Sequence, residues 1–176
     1  MILPVINEAF GENYKGDEKI EFFPNEHFIA QQSEEDKKRI TDSNFVVYGE
    51  NGKKNYHWEC QSTKDNKMLV RLFEYDAQIA LDSGVINKET LKITFPNSAV
   101  LYLRSTKNTP DEYWYDIITP GGEVKYKIPI LKVKSFSIND IFKKKLYILI
   151  PFYIFTHESR LKGYEDNEEK LKHLFH

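Results

Sequence analysis

Residues Arg39–Ser62 read RITDSNFVVYGENGKKNYHWECQS, and the way this stretch pairs with itself decides the fold. Two runs rich in β-branched and aromatic residues flank Asn51-Gly52, a dipeptide that readily adopts the two positive φ angles of a type I′ turn. A β-hairpin is the expected structure. With Asn51 and Gly52 as its two-residue loop, Phe45 faces Trp58, Val47 faces Tyr56 and Ser43 faces Cys60, giving one largely apolar face that can sit on a core. The same register puts Asp42 opposite Gln61, with Glu59 diagonal to it. Two carboxylates, an amide and His57 then share the other face. A slip of one residue would separate them and would also break the aromatic pairing.

Two acidic side chains on neighbouring strands repel, and a cation between them relieves the repulsion. Ligation by oxygen alone, completed by waters and a main-chain carbonyl, suits Mg²⁺ or Mn²⁺ better than zinc. Such an ion polarises a phosphoryl oxygen and lowers the pKa of bound water, as phosphodiester hydrolysis requires. The plainer alternative is the solvated face of an antiparallel hairpin, where Asp, Glu and Gln are ordinary.

Beyond the hairpin, Asp65-Asn66 supplies a helix start and Ser83-Gly84 a stop, so the spacing predicts a helix over Lys67–Asp82. Leu69, Leu72, Phe73, Ile79 and Ala80 form its apolar stripe, interrupted at Asp76. Arg71, Tyr75 and Gln78 share a flank, since positions three and four apart are neighbours. Packed across the sheet, Arg71 is placed to stabilise a phosphate and Tyr75 to position it by hydrogen bonding. A surface Arg stacked on a Tyr is the other reading of the pair. Arg39, three residues before Asp42, is a further candidate for a phosphate.

An Asp near the start of one strand, a β-turn, Glu-x-Gln on the next strand and a helix carrying Arg-x-x-x-Tyr together resemble the PD-(D/E)XK nuclease superfamily. More narrowly, they are similar to its recombination-promoting nuclease and transposase branch. The strings that carry the resemblance are KRITDSNF, HWECQS and VRLFEYDAQIAL, with FPNSAVLYLRSTKNTP and ILIPFYIF downstream. Arg39, Asp42, Glu59, Cys60, Gln61, Ser62, Arg71 and Tyr75 are the matching residues. The resemblance implies a restriction-endonuclease-like α+β core, a central mixed sheet flanked by helices, extended by a C-terminal hairpin and helix. It implies a metal-dependent DNA endonuclease linked to recombination or mobile elements. Asp42 and Glu59 would hold Mg²⁺ (or Mn²⁺) with the backbone carbonyl of Cys60, Gln61 would orient the attacking water, and Glu8 on an N-terminal helix is a further candidate ligand. Gln61 stands where the superfamily generally has Lys, and Thr41, not Pro, precedes Asp42. An uncharged Gln acts only through its amide, so a catalytically inactive nuclease-fold module that binds nucleic acid or a partner protein is the alternative.

The chain has 176 residues, 40% hydrophobic and 30% charged, with a net charge of −2. That length fits one domain, read here as a single nuclease-like unit over residues 1–176, and the composition fits a globular fold. The near-neutral charge gives no global attraction to nucleic acid, so DNA binding would rest on a local patch. Cys60 is the single cysteine; it falls on the apolar face and reads as a small buried residue. The N-terminus lacks a positive region followed by an apolar one, so the cytoplasm is the expected compartment.

Other elements follow from local signals. Pro4–Tyr14 is expected to begin with a short helix ended by Gly11, and a short strand is expected before Pro24. His27 has no partner at metal-ligand spacing. Leu91–Arg104 gives two strand-like segments around Pro96-Asn97, the second apolar enough to be buried on both faces. Glu112–Thr119 and Glu123–Val133 form a hairpin about Pro120-Gly121-Gly122. Its Lys125, Lys127, Lys132 and Lys134 read as a basic surface or as the solvent face of an edge strand. Ser137 or Asn139 caps a helix from Ile138 with Asp140 in its first turn. Leu146–Phe155, LYILIPFYIF, is too short to span a bilayer and should be buried in this domain or in a homodimer interface. The charged tail reads as a surface helix without an evident stop, as if the chain were the N-terminal part of a longer protein.

Overall fold

The computed structural model of the chain describes residues 2–23, 43–63 and 65–157. Arg39 and Asp42, His27 and the charged tail lie outside them. The fold is α+β around a six-stranded mixed sheet in the order β1-β2-β3-β6-β8-β7. Its strands are β1 (Lys19–Phe23), β2 (Ser43–Gly49), β3 (Gly52–Gln61), β6 (Asn97–Tyr102), β7 (Glu112–Thr119) and β8 (Gly122–Lys132). The pairs β3–β6 and β6–β8 are parallel, and β1–β2, β2–β3 and β7–β8 are antiparallel. A separate two-stranded hairpin, β4 (Val85–Asn87) with β5 (Thr90–Lys92), sits on the connection into β6. Its Val85, Ile86 and Leu91 are exposed. The sequence pattern placed a strand at Leu91 but not its partner at Val85.

The expected hairpin forms, with its register corrected by two residues. Gly49 pairs with Gly52, so Glu50-Asn51 is the turn and Phe45 faces Tyr56, Val47 faces Lys54 and Ser43 faces Trp58. The reason is local. Positive φ falls on Gly52 alone, at 99°, and not on Asn51, so the one glycine takes the strained position just after the turn while Asn51 keeps ordinary backbone. A shift of two keeps every side chain on its predicted face, because strand faces alternate with period two.

One face of the sheet carries Phe45, Val47, Tyr56, Trp58, Ala99 and Leu101, with Cys60 partly buried beside them. It is covered by α1 (Leu3–Phe10) and by the C-terminal turns that contribute Ile141, Leu146 and Leu149. Pro4 lies in the first turn of α1, and Gly11, at φ 67°, donates its N–H to the carbonyl of Asn7 and ends the helix. Leu3, Val5 and Ile6 are fully buried, and burial of such side chains stabilises by about 1.5–3 kcal/mol each.

The other face is covered by α2 (Met68–Asp82). Met68 and Leu72 pack on Val100, Tyr102, Tyr115 and Ile128, so the apolar stripe of α2 seats on the β6-β8-β7 half of the sheet. In this way α2 leaves a flank turned to β3.

The C-terminal region follows its signals closely in one place and less closely in another. Ser137 caps α3 (Ile138–Lys143): its Oγ accepts from the N–H of Asp140, whose carboxylate accepts from the N–H of Ser137. The apolar run from Leu146 is only partly buried within this chain. It folds into short helical turns around α4 (Ile150–Tyr153), which point Leu146 and Leu149 inward and leave Tyr147, Ile150 and Ile154 exposed. Among the described residues, no helix is long and apolar enough to cross a membrane.

Candidate functional site

Alternation along β3 sends His57, Glu59 and Gln61 to the face opposite Tyr56 and Trp58. The solvated-face reading of these residues does not hold, for they are 2%, 1% and 7% exposed beneath α2. Buried polar groups of this kind need partners. The flank of α2 supplies them in two clusters.

The first centres on Arg71. Its Nη2 donates to Glu59 Oε1 at 2.7 Å and to Gln61 Oε1 at 3.2 Å, and its Nη1 donates to Asp65 Oδ2 at 2.9 Å. Met68 Sδ lies 3.2 Å from the same Nη2. Burial works against the guanidinium charge, but Glu59 and Asp65 outweigh it and hold Arg71 above its ordinary pKa. Asp65 also accepts the N–H of Lys67 at 2.8 Å, which fixes it at the entrance to α2. Glu59 Oε2 is buried and has no hydrogen-bond partner among the described residues.

The second cluster lies further along β3. His57 Nδ1 and Asp76 Oδ1 are 2.7 Å apart, and Ser98 Oγ donates to the same oxygen at 2.6 Å. All three residues are buried. They join α2 to both β3 and β6. Tyr75 sets its ring edge-on to His57 at 6.0 Å, so Tyr75 stands over the second cluster while Arg71 anchors the first. Gln78, on the same flank, is exposed and donates to Asp82.

Around these clusters lies a wall of phenols. Tyr102 Oη and Tyr113 Oη are 2.7 Å apart, and Tyr115 Oη donates to the carbonyl of Leu69. Burial first, with the carboxylate of Asp76 adding to it, pushes the Tyr126 hydroxyl up to about 12.

The structure thus brings Glu59, Gln61 and Arg71 together as expected from spacing. Cys60 continues the pairing of β3 with Leu101 of β6. Glu8 is placed elsewhere: it accepts from Lys144 at 2.6 Å, on a helix that covers the face opposite Glu59. Asp65, Asp76 and Ser98 were missed as site residues. The signals were present, since Asp76 interrupts an apolar stripe and Ser98 sits in a buried strand, and a polar residue in such a place must have a buried partner. Of the four lysines, Lys125 and Lys127 are exposed and lie near Asp116 and Glu112 of β7, Lys132 is paired with Asp111, and Lys134 is exposed; the edge strand is β7, not β8.

For a hard divalent cation the described donors fit in kind. Glu59 offers a buried carboxylate oxygen without a partner, and Gln61 and Asp65 add oxygen atoms to the same neighbourhood. Among the described residues, no three His, Cys, Asp or Glu side chains gather as a complete metal cluster; Glu59 is the described member of the expected Asp42–Glu59 pair. The chain matches no family model, no curated protein and no solved structure.

Proposed function

We propose that the chain is a divalent-metal-dependent nuclease with a restriction-endonuclease-like core, of the PD-(D/E)XK kind, that hydrolyses phosphodiester bonds of DNA. The observation that carries this reading is Glu59: a carboxylate 1% exposed in a parallel-paired strand, with one oxygen on Arg71 and the other without a hydrogen-bond partner among the described residues. A carboxylate is costly to bury, and one left half-satisfied is a common mark of a functional site. The hairpin, the Glu-x-Gln strand and the helix that follows it support the same reading.

Glu59 and Asp42 would hold Mg²⁺ or Mn²⁺ with the carbonyl of Cys60. When bound, the ion supplies Lewis acidity toward a phosphoryl oxygen and acidifies a water. Gln61, two residues along the same face, would orient that water by its amide. Arg71 would neutralise charge on the phosphate, with Arg39 and Tyr75 addressing the same group. The buried Tyr102 and Tyr115, with the half-buried Tyr113, line the inner wall. A cytoplasmic site of action and a homodimer through the exposed part of the Leu146–Phe155 run belong to the same proposal; light scattering at micromolar concentration tests the dimer.

The test is nicking of supercoiled plasmid with Mg²⁺ or Mn²⁺ by the wild type, Asp42→Ala and Glu59→Gln. Gln at position 59 still accepts from Arg71, so the fold is retained while the charge is lost. Cleavage by the wild type that disappears in both variants is the expected result. No cleavage by folded wild type favours the second reading, an inactive nuclease-fold module, which the neutral Gln61 and the engagement of Arg71 by protein oxygens support.

A further inference from the structure

Arg71 bridges two unlike acceptors. Glu59 is sealed at 1% side-chain exposure, whereas Asp65, on the other side of the guanidinium, is 26% exposed. The geometry divides the fork: Nη1 belongs to Asp65, and Nη2 is shared by Glu59 Oε1 and Gln61 Oε1. One nitrogen therefore occupies both residues assigned to metal ligation and water orientation.

We propose that Arg71 is an exchangeable counter-ion for Glu59, and that Asp65 is the positioning residue that keeps it in place during exchange. The inference rests on the metal-site reading above. In the chain without divalent cation, Arg71 is paired with the buried Glu59 carboxylate at 2.7 Å. A dication at Glu59 Oε2, which has no hydrogen-bond partner among the described residues, repels the guanidinium across a few ångströms of low dielectric. Arg71 then gives up Glu59 and Gln61 together while its Nη1 stays on Asp65. Release of one nitrogen frees the Glu59 carboxylate, frees the Gln61 amide oxygen and turns Nη2 toward incoming phosphate. No covalent bond changes in the exchange. It accounts for an arginine pointing into a prospective metal site, where a fixed positive charge would only oppose binding.

The experiment uses the whole chain without DNA. Titration with MgCl₂ is followed by calorimetry and by NMR of the arginine side chains, the Arg71 signal being identified by its loss in Arg71→Lys. The free chain should show Arg71 Nη protons held in restricted rotation, and saturating Mg²⁺ should release the Nη2 group. Arg71→Gln, which removes the competing charge, should bind Mg²⁺ at least about tenfold more tightly. Asp65→Asn, a change at a partly exposed loop position, should bind a few-fold more weakly because Arg71 then has Glu59 as its one carboxylate. Binding by the wild type with Arg71 still restricted, and no gain in Arg71→Gln, overturns the exchange and leaves the metal site standing. Absence of binding by the wild type and by folded Arg71→Gln overturns both.

Discussion

Removal of the Asp76 carboxylate tests whether the buried polar clusters hold α2 on the sheet. Asp76 is 1% exposed and its Oδ1 takes both His57 Nδ1 at 2.7 Å and Ser98 Oγ at 2.6 Å. Asp76→Ala leaves two buried polar groups without their partner, at about 1–3 kcal/mol each. The loss is partly offset, because Asp76 Oδ2 is itself buried without a partner among the described residues, and deletion relieves a desolvation cost of about 1–3 kcal/mol. The net expectation is a destabilisation of about 2 kcal/mol. For a chain of this size that lowers Tm by about 4–8 °C. Asp76→Asn keeps an oxygen able to accept from Ser98 and should lose less, and Ser98→Ala should lose about 1 kcal/mol, the worth of a single hydrogen bond. Urea unfolding at neutral pH, followed by the fluorescence of buried Trp58, measures all three. An Asp76→Ala chain within about 1 kcal/mol of wild type would refute the reasoning, as would Asp76→Asn falling as far as Asp76→Ala.

Two further outcomes follow from other parts of the structure. Gly52→Ala forces a side chain onto a φ of 99° and should cost about 1–3 kcal/mol in urea unfolding, while Asn51→Ala should cost much less; the opposite order would restore the type I′ turn centred on Asn51-Gly52. Tyr56, Tyr102, Tyr115 and Tyr126 are all held above the ordinary phenol value of 10.0, by burial before any other cause. For an acid whose folded pKa is raised, the associated stability is complete below the unfolded value and declines as the pH rises from there toward the folded one. Thermal stability should therefore decline from about pH 10 upward, and ultraviolet titration should show these phenols ionising only as the chain unfolds; smooth ionisation of every tyrosine near pH 10 in a folded chain would contradict their burial.

Why some features were legible in the sequence and others were not follows from the range over which each is fixed. Gly11 ends α1, and the Ser137–Asp140 box starts α3, because both signals act within four residues. Which side chain of β3 faces which layer was equally legible, since parity along a strand survives even the two-residue error at the turn. That error came from treating Asn51-Gly52 as a unit. The dipeptide signals a positive φ nearby, but the glycine alone can supply it one step after a two-residue turn at Glu50-Asn51. What the sequence left open is whether the polar face of β3 meets water or is sealed by the helix expected to cross it. Seen by itself, His-x-Glu-x-Gln looks like a strand meeting water. Only the seating of Met68 and Leu72 on Val100, Tyr102, Tyr115 and Ile128 turns the flank of α2 onto β3 and makes Arg71 and Asp76 obligatory partners. The two observations constrain each other: an Arg and an Asp five residues apart on one helix meet a Glu and a His two apart on one strand, Arg71 on Glu59 and Asp76 on His57. Such crossed pairing is visible in the sequence once both elements are granted, and it agrees with the rotation of α2 that its apolar stripe sets.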